Sequence, residues 1–436
     1  MLVRRLLAVM AVAVVASAMA APPGHGATHR HRPVIFVHGF SGSGGQFETQ
    51  ARRLTGNGYR ADLIEAHEYD SLFEVNTPEQ VYAGLDRRID RLLKKSGADK
   101  VDLLAHSLGT ALMQAYLRSS PERAAKVAHY VNLDGATSPD QPGGVPTLAV
   151  WGEGSPERRI GGAKNVYFPD QAHTEVVTSA KTFAAFFEFF TGRAPRTTAI
   201  VPEAVVRLSG RTVLFPSNVG ADGARMEIFE VDPRTGARKT RRPLAAYRIG
   251  PDGRWGPFLG RGGAHYEFAV IWDEGTVHHT YFQPFRRSDA LVRVLTSRPG
   301  EGVSGRVETG DRHVSLVINR QREWWGDQGA GGDALWINGR QVLNAANAPR
   351  TKRVIGIFAY DAGRDGVTDL SAPIPSFFEQ PFLTGVDVFI PASAAGRPIP
   401  VVSRPRGGSG ALDVLVVPAL PSSKHRFTVQ FDDYVG

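Results

Sequence analysis

The period of the apolar residues changes near residue 195, and that change divides the chain into an α/β part and a β-rich part. From Pro33 to about Gly192, short apolar runs such as "PVIFVHG", "KVDLLAHS", "VAHYVNLDG" and "VPTLAVWGEG" alternate with helical stretches. That alternation predicts a mostly parallel sheet with flanking helices. Val81, Leu85, Ile89 and Leu92 recur at helical spacing within 78–95, and Phe183, Phe186, Phe187 and Phe190 line one face of a last helix that packs on the sheet. Beyond the linker "TGRAPRTTAIVPE" the period becomes two. Tyr266, Phe268, Val270 and Trp272 alternate with the other face, as do Val314, Leu316 and Ile318, then Leu412, Val414 and Val416, then Phe427, Val429 and Phe431. Turn residues separate these runs, which predicts all-β, sandwich-like structure. A chain of 436 residues is too long for one ordinary domain, and its β part too long for one small sandwich. A break is read near Arg286 to Leu295, giving segments 1–20, 21–32, 33–192, 193–200, 201–288 and 289–436.

The first segment, "MLVRRLLAVMAVAVVASAMA", has an arginine pair, a short apolar run and a small-residue cleavage site. It reads as a signal peptide, so the mature protein is expected to be secreted and extracellular. The apolar run is too short for a membrane span. Residues 21–32 read as a flexible leader, in which His25, His29 and His31 are solvated rather than metal-binding. With no cysteines, the chain must be held by packing without disulfides. A formal charge of +8 is spread along the sequence with no basic cluster interleaved with aromatics, so no nucleic-acid partner is expected. No zinc, calcium or phosphate-loop spacing occurs, and neither a metal nor a cofactor is expected.

"VDLLAHSLGT" carries the chemistry. An apolar strand runs into Ala105-His106-Ser107-Leu108-Gly109 and then a helix. A strand–G-x-S-x-G–helix elbow exposes its serine on a strained turn and needs small residues on either side. Alanine at the first position adds one methyl, which a slight separation of strand and helix absorbs. A serine hydroxyl is a poor nucleophile unless a base, an acid orienting that base, and donors for the oxyanion lie nearby. "FVHGFSGSGG" follows the first strand, so the Phe40 backbone N–H is one expected donor and that of Leu108 the other. His173 stands between the last short strand and the closing helix, in the order serine, acid, histidine. His106, in the elbow itself, is expected to point away from the serine. Three carboxylates compete for the acid: Asp134 at the end of the strand after the elbow helix, and Glu153 and Glu157 at the end of the next.

"VIFVHGFSGSG", the A-H-S-L-G elbow, "VNLDG" and the late histidine together resemble the secreted lipases of the α/β-hydrolase superfamily. The alanine-first elbow is shared with the Bacillus-type small lipases, and the likeness is closer to the Archaeoglobus-type lipases with a β-rich C-terminal region. It covers about 33–192 well and the remainder less. It implies an α/β-hydrolase domain, Ser107 as nucleophile, His173 as base, Asp134 rather than a glutamate as acid, and Phe40 and Leu108 as oxyanion donors. It also associates the β region with long-chain substrates. Residues 201–288 resemble a transthyretin-like sandwich, a module without chemistry of its own.

The expected function is that of a serine lipase or carboxylesterase cleaving acylglycerols or related aliphatic esters through an acyl-enzyme, its substrate met at a lipid–water interface. A polyester depolymerase or a transacylase would use the same residues. In a different class stands a binding or wall-associated protein in which the β domains dominate. Trp324, Trp325 and Trp336 are either a carbohydrate or lipid platform or core packing, and the loop from His67 to Asn76 is either a small lid or a long connection.

Overall fold

Six strands form the first sheet of the computed structural model, which describes residues 31–434 other than 155, 273, 274 and 409. The expected signal peptide and nearly all of the leader lie outside the described residues. The strands are β1 (Val34–Val37), β2 (Ile64–His67), β3 (Val101–His106), β4 (Val127–Leu133), β5 (Thr147–Trp151) and β6 (Lys164–Tyr167). They run parallel in the order β2-β1-β3-β4-β5-β6. Between and after them lie α1 (Glu48–Gly56), α2 (Pro78–Ser96), α3 (Leu108–Ser119), α4 (Pro121–Ala125), α5 (Glu175–Thr178) and α6 (Ala180–Thr191).

A parallel sheet must be covered on both faces. Phe36 packs with Leu54 of α1 and with Phe183, Phe186, Phe187 and Phe190 of α6 on one side. Ile35 and Val37 pack with Val81, Leu85, Ile89 and Leu92 of α2 and with Met113 of α3 on the other. The bounds of α2 follow from local chemistry. Thr77 and Gln80 form a capping box around Pro78, and Gly97 ends the helix at φ 70°.

The β region adds β7 (Val205–Leu214), β8 (Arg225–Glu230), β9 (Ala245–Arg248), β10 (Arg254–Arg261), β11 (Tyr266–Ile271), β12 (Val277–Phe282), β13 (Asp289–Thr296) and β14 (Leu316–Trp324). Then come β15 (Ala334–Ile337), β16 (Arg340–Gln341), β17 (Val354–Tyr360), α7 (Pro375–Phe378), β18 (Leu383–Asp387), β19 (Pro398–Arg404), β20 (Asp413–Pro418) and β21 (His425–Gln430). An eight-stranded sheet, β18-β17-β14-β21-β12-β11-β8-β9, spans the region. One end of it packs on the three-stranded sheet β10-β7-β13, burying Leu208, Val292, Met226 and Phe268. The other end packs on the four-stranded sheet β16-β15-β19-β20, burying Leu335, Val401, Leu415, Ile318 and Phe427. Two sandwiches therefore share one sheet, joined by the parallel pairing of β12 with β21.

Two sequence expectations are corrected here. The break read near Arg286 to Leu295 overlaps β13, which hydrogen-bonds to β7 and so goes with the first sandwich. In β20 the buried residues are Leu415, Val416 and Val417, whereas Leu412 and Val414 are exposed. The run "LDVLVV" is apolar in both phases, so period two alone does not choose its inward face.

The protein from Arg32 onward forms one unit, and its hydrolase and β parts meet across buried charges. Arg52 of α1 pairs with Asp289 at 3.2 Å and with Asp432 at 3.5 Å. Thr49 Oγ1 donates to Asp433 at 2.5 Å. Burial pushes the Asp433 carboxyl up from 3.8 to about 6, with Thr49 and Arg52 offsetting only part of the shift. Because the folded value lies above the unfolded one, the folded chain holds an extra proton between these values, and stability falls as pH rises through about 6. The cost at neutral pH and above is at most roughly 3 kcal/mol. Asp433→Asn keeps an acceptor for Thr49 and removes that cost. Its melting temperature should exceed that of the wild type near pH 8, and the two should converge near pH 4; equal melting at both values would contradict this.

Candidate active site

Ser107 stands between β3 and α3 with φ 52° and ψ −124°, a left-handed conformation that costs a non-glycine residue energy and persists only where its surroundings enforce it. Its own N–H donates to the Leu133 carbonyl at 3.0 Å. Gly109 is required next to it, since a Cβ there would lie 2.4 Å from the His38 carbonyl oxygen. Gly39 is required across from it, because its Cβ would lie 2.8 Å from the Cβ of Ser107. These contacts bring the loop after β1 against the elbow.

Three of the expected residues converge. His173 Nε2 lies 2.9 Å from Ser107 Oγ, and His173 Nδ1 lies 2.6 Å from Asp134 Oδ2. Asp134 is only 3% exposed, which decides how strongly its charge is felt. Its second oxygen accepts from Arg158 Nη1 at 2.7 Å and from the Gly152 N–H at 3.0 Å. Burial pushes the Asp134 carboxyl up, but the His173 bond, Arg158 and the Gly152 amide more than offset it and hold the group at about 2. Asp134 is thus an anion at any pH where the fold is of interest, with its two oxygens committed to different donors.

Leu108 directly follows the serine in the chain, and Phe40 follows Gly39, which lies against the Cβ of Ser107. Leu108 opens α3, so its N–H has no partner within the helix. Among the described residues neither amide finds an acceptor. Together with the Ser107–His173–Asp134 chain, they make an arrangement that can activate a hydroxyl and hold a developing oxyanion.

The other acid candidates lie elsewhere. Glu153 faces Arg350, at 2.9 Å, and Arg353, at 3.4 Å. Glu157 is exposed. His106 also has a part that its position in the elbow did not disclose. Its ring packs on that of His173 at 4.6 Å, and its Nε2–H donates to the His173 carbonyl at 3.0 Å. Burial, then the neighbouring His173, pushes the His106 imidazole down to about 3, so it is a neutral prop for the loop that carries His173.

The β region reaches both loops of the site. Asn218 Nδ2, from the turn after β7, donates to the Gly42 carbonyl at 2.7 Å and to the Tyr69 carbonyl at 3.1 Å. Arg293 of β13 binds Glu68 at 2.5 Å, and Glu68 in turn accepts the Gly44 N–H at 3.0 Å. Phe382 stacks on His173 with ring centroids 6.2 Å apart. From Phe382 and Ser41–Ser43, an apolar cavity of about 100 Å³ extends into the β region past Val317, Ile355, Phe358 and Leu383. Trp324 and Trp325 are buried, Trp325 between the guanidinium groups of Arg350 and Arg406, so these two form no exposed platform. The loop from His67 to Asn76 is tied down by Asp70, whose carboxylate accepts the N–H groups of Leu72, Glu74 and Val75. No helix among the described residues is long and apolar enough to cross a membrane.

Residues 32–167 match the family model of the alpha/beta hydrolase fold, and residues 204–299 that of the lipase C-terminal domain. Residues 302–435 match a third family, described as a C-terminal domain. Among solved structures, the chain is similar to Aspergillus fumigatus lipase B, with 14% identity over 41% of this chain and 56% of that one, at a TM-score of 0.31. It thus spans little more than half of that lipase. It is also similar to the mature Bacillus licheniformis lipase BlEst2, with 16% identity over 37% of this chain and 93% of that one, at a TM-score of 0.29. A Listeria innocua protein matches with 13% identity over 38% of this chain and 97% of that one, again at 0.29.

Proposed function

This chain has an α/β-hydrolase fold followed by a lipase C-terminal domain, and from that premise we propose that it is a serine ester hydrolase acting on acylglycerols or related aliphatic esters. The observation that carries the reading is the unbroken hydrogen-bonded chain from Ser107 Oγ through His173 to Asp134. Ser107 attacks the ester carbonyl while His173 Nε2 takes its proton. The Phe40 and Leu108 amides hold the tetrahedral oxyanion. His173 then gives the proton to the leaving alcohol, and the acyl group stays on Ser107. Water, deprotonated by His173, releases the acid and restores the serine. Asp134 orients the imidazole and stabilises its cation throughout. Secretion, with removal of residues 1–20, is part of the proposal and rests on the sequence of that segment.

The apolar cavity beside the oxyanion loop supports an aliphatic acyl chain as the group accommodated there. Hydrolysis of p-nitrophenyl esters from acetate to palmitate tests the proposal. Activity on no ester would overturn it, and release of an alkyl ester when an alcohol competes with water would identify a transacylase instead. Val317→Trp fills the cavity without touching the reacting atoms. It should lower kcat/KM for laurate esters about tenfold or more and leave acetate esters nearly unchanged; a uniform loss at all lengths would remove the cavity from substrate binding.

A further inference from the structure

We propose that Glu323, at the end of β14 in the β region, is a positioning residue for His173. The inference rests on His173 being the base. His173 lies between β6 and α5, in a segment that no strand ladder holds. The two backbone amides that follow it, those of Thr174 and Glu175, both donate to the Glu323 carboxylate, one to each oxygen, the second at 3.1 Å. Glu323 is wholly buried, so water does not compete for these bonds. Hydrogen bonds from N–H groups to a buried carboxylate are charge-assisted and directional.

Glu323 is itself fixed. Arg320 Nη2 donates to its backbone carbonyl at 2.7 Å, and Arg406 Nη1 donates to the same oxygen. Arg406 and Arg322 also bind the Glu175 carboxylate, at 2.6 and 2.8 Å. The Glu175 carboxylate accepts the Ala172 N–H at 3.3 Å. With His106 on its carbonyl and Asp134 on its Nδ1, His173 is held from four directions. Among these contacts, the Glu323 tether comes from the β region and acts on the backbone immediately after the imidazole. A displacement of about 1 Å at a catalytic group can cost on the order of 10²-fold in rate. A tether of this kind acts on the chemical step and leaves substrate binding alone.

The test compares the full-length protein with Glu323→Gln, Glu323→Asp and Arg350→Gln. The amide in Glu323→Gln keeps the shape but turns a donor toward one of the two N–H groups. Arg350→Gln removes a different ion pair between the domains, that with Glu153. Steady-state hydrolysis of p-nitrophenyl butyrate, the rate of Ser107 phosphonylation by a fluorophosphonate, and melting temperature are measured for each. Glu323→Gln should lose about 10- to 100-fold in kcat at unchanged KM, with phosphonylation slowing in step. Glu323→Asp keeps both acceptors at shorter reach and should fall between it and wild type, whereas Arg350→Gln should keep its kcat. Wild-type kcat in folded Glu323→Gln, an equal loss in Arg350→Gln, or a rise in KM alone would overturn the proposal. If Glu323→Gln does not fold, Glu323→Asp decides by the same criteria. Failure of the underlying reading is separately visible, because Ser107→Ala would then retain hydrolysis whatever Glu323 does.

Discussion

Ser107→Ala should lower kcat on any hydrolysed ester by about 10⁶-fold, the loss expected when the nucleophile of a cooperating serine–histidine–acid set is removed. The proposed oxyanion donors, the Phe40 and Leu108 amides, belong to the backbone and survive the change, so a small rate above that in water should persist. The side chain is half-exposed, and the strained turn is enforced by the packing of Gly39 and Gly109 rather than by the hydroxyl. The melting temperature should therefore not fall, and covalent labelling by a fluorophosphonate should disappear. Hydrolysis within about tenfold of wild type would remove Ser107 from the mechanism.

Asp134→Asn should cost about 10⁴-fold in kcat, for a reason specific to its surroundings. Oδ1 of Asp134 faces two obligatory donors, Arg158 Nη1 and the Gly152 N–H. An asparagine placed there must direct its carbonyl oxygen toward them, which turns its NH₂ toward His173 Nδ1. The imidazole then accepts at Nδ1 and carries its proton on Nε2, the tautomer that cannot take the proton of Ser107. Steady-state kinetics and the melting curve check this together. A folded variant within about tenfold of wild type would show that the orientation of His173 does not depend on Asp134.

The geometry also indicates which parts of the site a linear sequence discloses. Ser107 is legible because an elbow needs an apolar strand, small neighbours and a helix start, all within ten residues. The expectation of Phe40 and Leu108 as oxyanion donors comes from the same local logic. The acid is less legible, since β4 and β5 both end in carboxylates at one edge of the sheet. What separates them is Arg350, nearly two hundred residues further on, which binds Glu153. His106 points away from the serine as its place in the elbow predicts, and its bond to the His173 carbonyl is not legible because only the fold brings the two together. Arg158, Asn218 and Glu323 leave no signal, as each acts on a partner that only the fold brings near. The β strands were readable one by one from their alternation. Their pairing across two sandwiches, and the inward face of β20, depend on partners that the alternation does not specify.

The pairing of β12 with β21 has a consequence for how the molecule comes into being. Tyr281 is matched with Val429, and the strand that supplies Val429 is the last among the described residues, well over a hundred residues after β12. During synthesis the β12 edge is complete long before its neighbour exists, and its unpaired N–H and C=O groups form a template for any other extended chain. Closure of the eight-stranded sheet waits for β21, the slow, high-contact-order route on which incomplete β structures associate with one another. A chain cut near residue 300, although it would contain every strand of the first sandwich, keeps that edge bare. It should be recovered mainly as aggregate, and an early stop codon would give insoluble protein rather than a smaller working enzyme.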